Sequence, residues 1–501
     1  MTAAAIMVLG CTSGAGKSWL ATALCRWYAD RGLRVAPFKA QNMSNHARVV
    51  ALPGNPGEAG EIGSAQYFQA LAARTTPQVR MNPVLLKPES DTRSQVVVMG
   101  RVDHALAGVP WRERSALLWQ HAADALAGLR EDFDLLVVEG AGSPAEINLA
   151  ASDFVNTRTA LAADAACLLV ADIDRGGAFA HLYGTHALMD AAVRERLRGF
   201  VLNRFRGDPA LLAPAPQLLQ QRTGVPTVAV LPMLRDHGLP EEDAVPDSAP
   251  GAGVRIVVLA GPHASNLDEF EPLRTAGASL AFSRDATAVA QADWLVLPGS
   301  KHSRADLAWL RASGLDASVR THVARGKPLL AICGGLQIAG VRIDDPLGVE
   351  GGSKSAPPGS DDGLGLLPIA TRFAPGKTLA RTRACFARLD GPWAALSGLE
   401  VDGYEIHHGE SAPLDDALHA EGAGQPALRV ALSGAGGASP LGWQLGPILA
   451  IYLHGIFENH EVVRALFGRG ARPLDAVFDT LAEHVDAHFD PGFLLSLMET
   501  R

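Results

Sequence analysis

The chain is poor in cysteine. Its 501 residues include five cysteines, which stand at positions 11, 25, 167, 333 and 385. Their number is odd and no two of them have the CxxC spacing, so a disulfide framework and a structural zinc site are both disfavoured. This usage is typical of a reducing compartment, and we expect a cytoplasmic protein.

Long apolar runs and an excess of positive charge are also missing. No apolar run approaches the roughly 18 residues that span a bilayer, so we expect no membrane segment. Lys and Arg number 44 against 53 Asp and Glu, a net charge of −9 that argues against a general nucleic-acid or anionic-membrane binder. A hydrophobic content of 48% with 19% charged residues is that of a folded globular protein.

Short apolar segments alternate with helical segments in the first half of the chain. Strands that are apolar throughout and alternate with helices predict a parallel sheet covered on both faces. The expected strands are Ala3–Leu9, Leu33–Phe38, Leu135–Val138, Ala166–Val170, Gly199–Leu202 and Thr227–Leu231. The expected helices are Lys17–Asp30, Trp111–Leu129, Phe179–Leu188 and Leu211–Gln221.

The same pattern restarts after Glu241–Gly253, a segment that is first acidic and then rich in Pro, Gly and Ala. Strands are expected at Arg255–Leu259, Trp294–Leu297, Pro328–Ile332 and Ile448–Leu453, a helical region at Ser303–Arg325 and a polar loop at Gly351–Gly363. We therefore predict two α/β domains, at residues 1–245 and 254–501, joined by a linker at 246–253.

A phosphate-binding loop is predicted between the first strand and the first helix. Small residues there let backbone N–H groups face phosphate oxygens, and the helix N-terminus favours anions. Lys17 would reach the phosphates and the Ser18 hydroxyl would bind Mg²⁺, whereas a flexible turn with a surface lysine is the alternative. Cys11 stands where the usual spacing has its first glycine. The predicted phosphate-binding residues are Gly10, Thr12, Gly16, Lys17 and Ser18.

Carboxylates follow two of the predicted strands of this domain. Glu139 ends one strand before small residues, where a carboxylate completes a Mg²⁺ shell directly or through water. An ordinary acid at the end of a strand is the alternative. Asp172 and Asp174 end the next strand, where they would assist magnesium, orient substrate or cap the following helix.

A nucleophilic cysteine is predicted in the second domain. Cys333 lies between a strand and a helix and is followed by two glycines, so the turn would expose the thiol at a helix N-terminus. A buried core cysteine is the alternative. His454, at the end of the last apolar strand, is the expected base, with His407 and His408 as competitors. Backbone N–H groups at Gly299 and Gly334 would form an oxyanion hole.

Eight segments together resemble the cobyric acid synthase family, the CobQ/CbiP type of glutamine-dependent amidotransferase. They are Pro37–Ser44, Met81–Pro88, Val138–Gly142, Asp172–Gly177, Asn203–Asp208, Leu297–Lys301, Gly403–Gly409 and Tyr452–Gly455. The resemblance implies a dethiobiotin synthetase-like P-loop domain followed by a class I glutamine amidotransferase domain. It further implies that ATP activates the b, d, e and g carboxylates of adenosylcobyrinic a,c-diamide as acyl phosphates, which ammonia from glutamine converts to amides.

The resemblance also assigns individual residues. Lys39 would contact the transferred phosphoryl group, and Asn203 would contact adenine; a solvated lysine and a turn-forming asparagine are the alternatives. A corrinoid acid, which brings its own cobalt, and glutamine are the implied substrates, with ATP and Mg²⁺. Polar residues that would bind the corrinoid periphery, or be solvated surface charge, are Arg80, Lys87 and Arg93.

The resemblance leaves three questions open. Ordinary class I amidotransferases have Glu two residues after the catalytic His, but this chain has Ile456 at that position. No third residue is therefore assigned to the Cys–His site, and Glu405 and Glu458 are weak candidates. A homo-oligomer is neither required nor excluded. The competing functions are cobyrinic acid a,c-diamide synthase, a P-loop partitioning or regulatory ATPase, and a scaffold with an inactive amidotransferase domain.

Overall fold

A computed structural model describes residues 2–52, 54–90, 93–240, 253–350, 358–414, 417, 427–434 and 440–499. Most of the predicted linker and of the predicted polar loop lies outside these residues. No helix of the described part combines the length and the apolar composition that a membrane span requires.

The first half of the chain is built on the expected parallel sheet. Its strands are apolar, and those inside the sheet are largely buried because helices cover both faces, whereas the edge strand Thr227–Pro232 is mostly half-buried. The six strands, in spatial order, are Thr227–Pro232, Leu197–Phe205, Ala166–Asp172, Ala4–Gly10, Leu135–Glu139 and Val35–Phe38. The helices of this half are Lys17–Ala29, Ser64–Ala72, His104–Ala107, Trp111–Asp132, Thr159–Ala162, Ala178–Leu188, Ala191–Arg194 and Ala215–Thr223. The carboxyl ends of the strands share one edge, so the phosphate loop, Glu139 and Asn203 converge there.

Two smaller sheets follow the second strand, and the sequence analysis missed both. The interdomain hairpin pairs Ala47–Leu52 with Asn55–Gly63 in antiparallel register. A four-stranded sheet contains Gln41–Met43, Val84–Ser90, Arg93–Val98 and Arg101–Val102. These elements lie against the second half of the chain, and they position polar side chains between the two halves.

The second half contains a mixed sheet with a parallel core. In spatial order its parallel strands are Ser279–Ser283, Arg255–Leu259, Trp294–Leu297, Leu329–Ile332 and Ile448–Ile451. The antiparallel strands Pro440–Leu445 and Arg429–Gly434 follow, then the long strands Ile369–Phe386 and Glu400–Pro413, with Arg342–Asp345 and Gly359–Asp362 at the edge. The prediction of a loop throughout 351–363 is wrong at Gly359–Asp362, because these residues pair with Arg342–Asp345.

The helices of the second half flank this sheet. The predicted helical region Ser303–Arg325 is two helices, because Gly314 has a positive φ of 72° that ends the first one. The helices are Glu271–Thr275, Ala286–Gln291, Ser303–Ala312, Leu315–Ala324, Gly334–Ala339, His460–Phe467, Leu474–His488 and Pro491–Ser496.

The last two helices return to the first half of the chain. Apolar side chains of Leu474–His488 join a core with the helix Lys17–Ala29. Buried Arg26 pairs with Asp479 at 2.6 Å, and the Tyr28 hydroxyl donates to the backbone oxygen of Leu494 at 2.5 Å. The sequence analysis placed these helices in the second domain because they follow it along the chain. Chain order alone does not reveal that their apolar faces are buried against the first domain.

Candidate active sites

The predicted phosphate loop closes on the side chain of Lys17. The ammonium donates to the backbone oxygens of Thr12 at 3.0 Å and Gly142 at 3.2 Å, and the residue is 5% exposed. A Cβ at Gly10 would lie 2.9 Å from the Lys17 side chain, so a larger residue there would displace this lysine. Gly16 has a φ of 98°, and a Cβ there would lie 2.0 Å from the Asn203 amide nitrogen. The loop therefore holds a cation at the start of the first helix.

Glu139 is the centre of a buried polar cluster beside this loop. One carboxylate oxygen accepts from Ser18 and from Lys39, each at 2.8 Å, and the other accepts from Gln69 at 2.6 Å. Burial alone would raise the pKa of Glu139, but the Lys39 ammonium and these donors lower it, so the carboxylate is charged. Sequence reasoning missed Gln69, because a glutamine inside a helix gives no local signal of a partner 70 residues away.

The cluster fits a magnesium ion held mainly by nucleotide phosphates. Within the described residues no group of three His, Cys, Asp or Glu side chains could hold a metal. Mg²⁺ keeps waters and takes only one or two protein ligands beside phosphates, and the adjacent oxygens of Ser18 and Glu139 suit that role.

The remaining polar residues at this sheet edge have protein partners. The Asn203 amide donates to the backbone oxygen of Ala15 at 3.0 Å, so it holds the phosphate loop in place through this hydrogen bond. Asp172 pairs with Arg204 at 3.1 Å, and Asp174 pairs with Arg206. The structure thus brings together Lys17, Ser18, Lys39 and Glu139, while the two aspartates hold arginines.

In the second sheet, Cys333 occupies a strained turn between a strand and a helix. Its backbone angles are φ 51° and ψ −105°, a conformation that residues with a side chain rarely adopt. A Cβ at Gly334 would lie 2.6 Å from the backbone nitrogen of Ser300, and one at Gly335 would lie 2.1 Å from the Leu297 oxygen. Glycine at both positions lets the turn pack against the Leu297–Ser300 segment, so the thiol is held rigidly.

His454 lies beside Cys333 and is oriented by a carboxylate. Its Nδ1 lies 2.9 Å from Glu269 Oε1, while Glu269 Oε2 accepts from the Gly455 backbone N–H at 2.9 Å. Burial would lower the pKa of His454, but the charges of Glu269 and Cys333 and the hydrogen bonds to both raise it to about 10. The arrangement is a Cys–His–Glu triad in which a carboxylate orients the imidazole beside the Cys333 thiol.

The sequence analysis did not find Glu269, and its two weak candidates are wrong. Glu405 lies 3.4 Å from His407 and accepts from Thr382, whereas Glu458 pairs with Arg48 at 3.0 Å. Glu269 lies in a short helical turn after the strand Arg255–Leu259, 185 residues before its histidine. A carboxylate so distant in sequence from the histidine that it contacts forms no sequence motif with it.

The competing histidines line the cavity of Cys333 but have other partners. The His407 ring stacks on Tyr452 with the centroids 4.0 Å apart, and burial lowers the pKa of His408 to about 4. Gly299, in contrast, lies next to the catalytic pair, since a Cβ there would be 2.9 Å from His454 Cε1. Gly334 directly follows Cys333, so both glycines lie near the Cys333–His454 pair, and their role in an oxyanion hole stays a prediction.

Arg48 of the interdomain hairpin contacts residues that surround the triad. This residue is 1% exposed and pairs with Asp268 at 2.5 Å and with Glu458 at 3.0 Å. It also donates to the hydroxyl of Tyr404, whose ring is stacked on His454 at a centroid distance of 5.3 Å. A buried cation from the first half of the chain therefore balances the carboxylates around the histidine of the second half.

Comparison with known proteins agrees with both halves of the structure. The CobQ/CobB/MinD/ParA nucleotide binding domain matches residues 6–244, and the CobB/CobQ-like glutamine amidotransferase domain matches residues 255–462. A cobyric acid synthase of Methylibium petroleiphilum is 60% identical over 508 residues, covering 99% of this chain and 97% of the relative. One of Leptothrix cholodnii is 59% identical over 511 residues, covering 100% and 98%.

The fold and the matched families define an enzyme that joins a P-loop nucleotide-binding domain to a glutamine amidotransferase domain. At this identity over the whole length, the chain belongs to the cobyric acid synthase family.

Proposed function

We propose that the protein uses ATP and glutamine to amidate the b, d, e and g carboxylates of adenosylcobyrinic a,c-diamide, forming cobyric acid. The observation that carries the proposal is the presence of two separate reactive clusters in one chain. One cluster, around Glu139, suits phosphoryl transfer, and the other, around Cys333, suits glutamine hydrolysis. Relatives with the same two domains bear the name cobyric acid synthase.

In the glutaminase site, the Cys333 thiolate attacks the side-chain carbonyl carbon of glutamine. The imidazolium of His454 donates its proton to the departing nitrogen, so that ammonia leaves and a thioester remains. Water, deprotonated by the now neutral His454, attacks the thioester, releases glutamate and restores the Cys333 thiolate and the His454 imidazolium. The N–H groups at Gly299 and Gly334 stabilise the oxyanion of each tetrahedral intermediate.

In the synthetase site, a corrinoid carboxylate oxygen attacks the terminal phosphoryl group of ATP and displaces ADP, which forms an acyl phosphate. Lys17 binds the phosphates in the ground state, and Lys39 stabilises charge on the group in transfer. Magnesium, held by Ser18 and Glu139, would neutralise phosphate charge. Ammonia then attacks the acyl phosphate, expels phosphate and leaves the amide. Phosphorylation is needed because oxide is a poor leaving group from a carboxylate.

The cavity at Cys333 supports a passage of ammonia between the two reactions. It is about 50 Å³ in volume and is lined by Cys333, Lys301 and Lys377 of the second half together with Asn45 and Lys87 of the first. Free ammonia is mostly protonated at neutral pH, so a buried space next to the thioester favours delivery of the neutral molecule. We place the domain boundary within 246–253 and the enzyme in the cytoplasm, where five free thiols stay reduced.

The test compares nitrogen sources in a Cys333→Ala variant. Glutamine-dependent amidation should be lost, while amidation at high ammonium concentration should persist at the wild-type rate because the synthetase site is separate. Equal loss with both sources would contradict the two-site mechanism. Cobyrinic acid a,c-diamide synthase, the nearest alternative, would instead accept cobyrinic acid and stop after the a and c carboxylates.

A further inference from the structure

A second, larger cavity lies between the two halves of the chain. Its volume is about 770 Å³, and its walls include Met43, Arg93 and Trp111 of the first half and His263 of the second. We call this cavity the interdomain cleft. None of these four residues belongs to the triad or to the cluster around Glu139.

Arg114 is the unusual residue of the interdomain cleft. It is 8% exposed, its Nε is buried without a hydrogen-bond partner, and Nη1 makes one long contact of 3.5 Å to the backbone oxygen of Leu106. Burial lowers its pKa and no carboxylate of the described residues offsets that effect. A buried guanidinium without a counterion is costly, so this position is unfavourable until an anion binds.

The charges around Arg114 also favour an anionic ligand. Glu89, the acid that lines the cleft, lies 3.4 Å from the Lys301 ammonium. His263 pairs with Asp306 at 3.0 Å, and that hydrogen bond raises the pKa of the imidazole and favours its cationic form. In a chain with a net charge of −9, Arg93 and Arg114 are the cations on the walls of the cleft, since Asp306 offsets the charge of His263.

The backbone of the cleft adds to this field. Gly108–Trp111 lines the cleft and leads into the helix Trp111–Asp132, which has 22 residues and no side-chain cap at Pro110. The first N–H groups of a long helix lack partners within the helix and carry partial positive charge. The guanidinium of Arg114, which lies 5.4 Å from the centroid of the Trp111 ring, and this helix N-terminus therefore act on the same space.

Apolar surface lies beside these charges. Trp111 is 37% exposed and Met43 is 54% exposed, and both border the cleft. Large apolar side chains at the surface of a polar cavity are suited to the face of a flat, mostly apolar ring. A ligand that combines such a ring with peripheral carboxylates would use both kinds of contact.

The position of the cleft connects the two proposed reactions. Met43 is four residues after Lys39, a distance of no more than about 14 Å along extended chain. Asn45 borders both the cleft and the cavity of Cys333, and its Oδ1 is buried without a hydrogen-bond partner. A ligand in the cleft would thus lie near the phosphates and near the ammonia source.

We infer that the interdomain cleft binds the corrinoid acid, with Arg114 on a peripheral carboxylate and Trp111 against the macrocycle. The inference rests on the proposed function and extends it to the location of the acceptor. Of the three polar residues predicted to bind the corrinoid, Arg93 lines the cleft, whereas Arg80 pairs with Asp132 at 2.7 Å and Lys87 pairs with Glu61 at 2.5 Å.

The test is the KM for adenosylcobyrinic a,c-diamide in full-length Arg114→Met, with ammonium as the nitrogen source. Loss of a charge-assisted hydrogen bond should raise this KM by about 10- to 100-fold, while the KM for ATP stays unchanged. The thermal midpoint should equal or exceed that of the wild type, because the substitution removes an unpaired buried charge. Arg112→Gln, an exposed change in the same helical turn, is the matched control and should leave the corrinoid KM unchanged.

Other outcomes would overturn the assignment. A corrinoid KM for Arg114→Met within twofold of the control, or a raised KM for ATP alone, would show that the cleft is not the corrinoid site. If Arg114→Met fails to fold, Trp111→Ala decides, since loss of the ring contact should raise the same KM by about tenfold. A wild-type enzyme that does not amidate the corrinoid at all would instead reject the proposed function.

Discussion

Replacement of Glu269 by glutamine should disable the glutaminase site by lowering the pKa of His454. The amide keeps the shape of the side chain but removes the charge that lies 2.9 Å from Nδ1. Two unit charges about 4 Å apart interact by about 4 kcal/mol at an effective dielectric constant near 20. At about 1.4 kcal/mol per pKa unit, the His454 pKa should fall by about three units from its value of about 10.

The sign of this shift fixes the pH dependence. Glu269 stabilises the imidazolium, so without it the proton leaves His454 at lower pH and the donor for the departing ammonia is lost there. The alkaline limb of the glutaminase profile should move from about pH 10 toward about pH 7. Turnover on the plateau should fall by about 10²- to 10⁴-fold, the scale of general acid–base catalysis.

The assay is release of glutamate from glutamine as a function of pH, in wild type and Glu269→Gln. Ammonium-dependent amidation should be retained, which shows that the variant is folded. Glu405→Gln is the matched control, because this carboxylate lies near the site but contacts His407 and Thr382. An unchanged rate and an unchanged alkaline limb in Glu269→Gln would refute the role of Glu269.

Three further changes probe the other groups. Lys39→Ala should lower ammonium-dependent amidation by about 10²- to 10³-fold with little change in ATP affinity, whereas Lys17→Ala should also weaken ATP binding. Initial rates measure the turnover of both variants and ATP titration measures their affinity. Normal turnover of Lys39→Ala would exclude a role of Lys39 in phosphoryl transfer. Arg48→Met should lower the free energy of unfolding by about 3–5 kcal/mol, because Asp268 and Glu458 lose their counterion. Urea denaturation measures this free energy, and a loss below about 1 kcal/mol would contradict the role of Arg48 as that counterion. His454→Asn should abolish glutamate release and spare ammonium-dependent amidation, and the opposite result with His407→Asn would identify His407 as the base.

Residues with a local signature were predictable from the sequence. Lys17, Cys333 and His454 each follow or end an apolar strand, and small residues beside them mark a tight turn. Such turns are encoded within about ten residues, so the strand, the turn and the reactive group are visible together. The parallel sheet of the first half was predictable for the same reason.

Residues that act through distant partners were not predictable. Gln69, Glu269 and Arg48 look like ordinary polar residues, and their roles arise only when the chain brings them to Glu139, His454 and Asp268. The interdomain hairpin was missed because its second strand, Asn55–Gly63, contains glycine, proline and charged residues rather than an apolar alternation. The return of the last helices to the first core is likewise a matter of tertiary packing.

The central claim is that glutamine hydrolysed at Cys333 supplies the nitrogen that the first domain attaches to a corrinoid acid. The most direct measurement is mass spectrometry of adenosylcobyrinic a,c-diamide after incubation with the enzyme, ATP, Mg²⁺ and glutamine labelled with ¹⁵N in its amide. We expect a product with four new ¹⁵N-amides, one ATP consumed for each, and no product without ATP. Unlabelled product, or glutamate release and ATP hydrolysis without any change in the mass of the corrinoid, would contradict it.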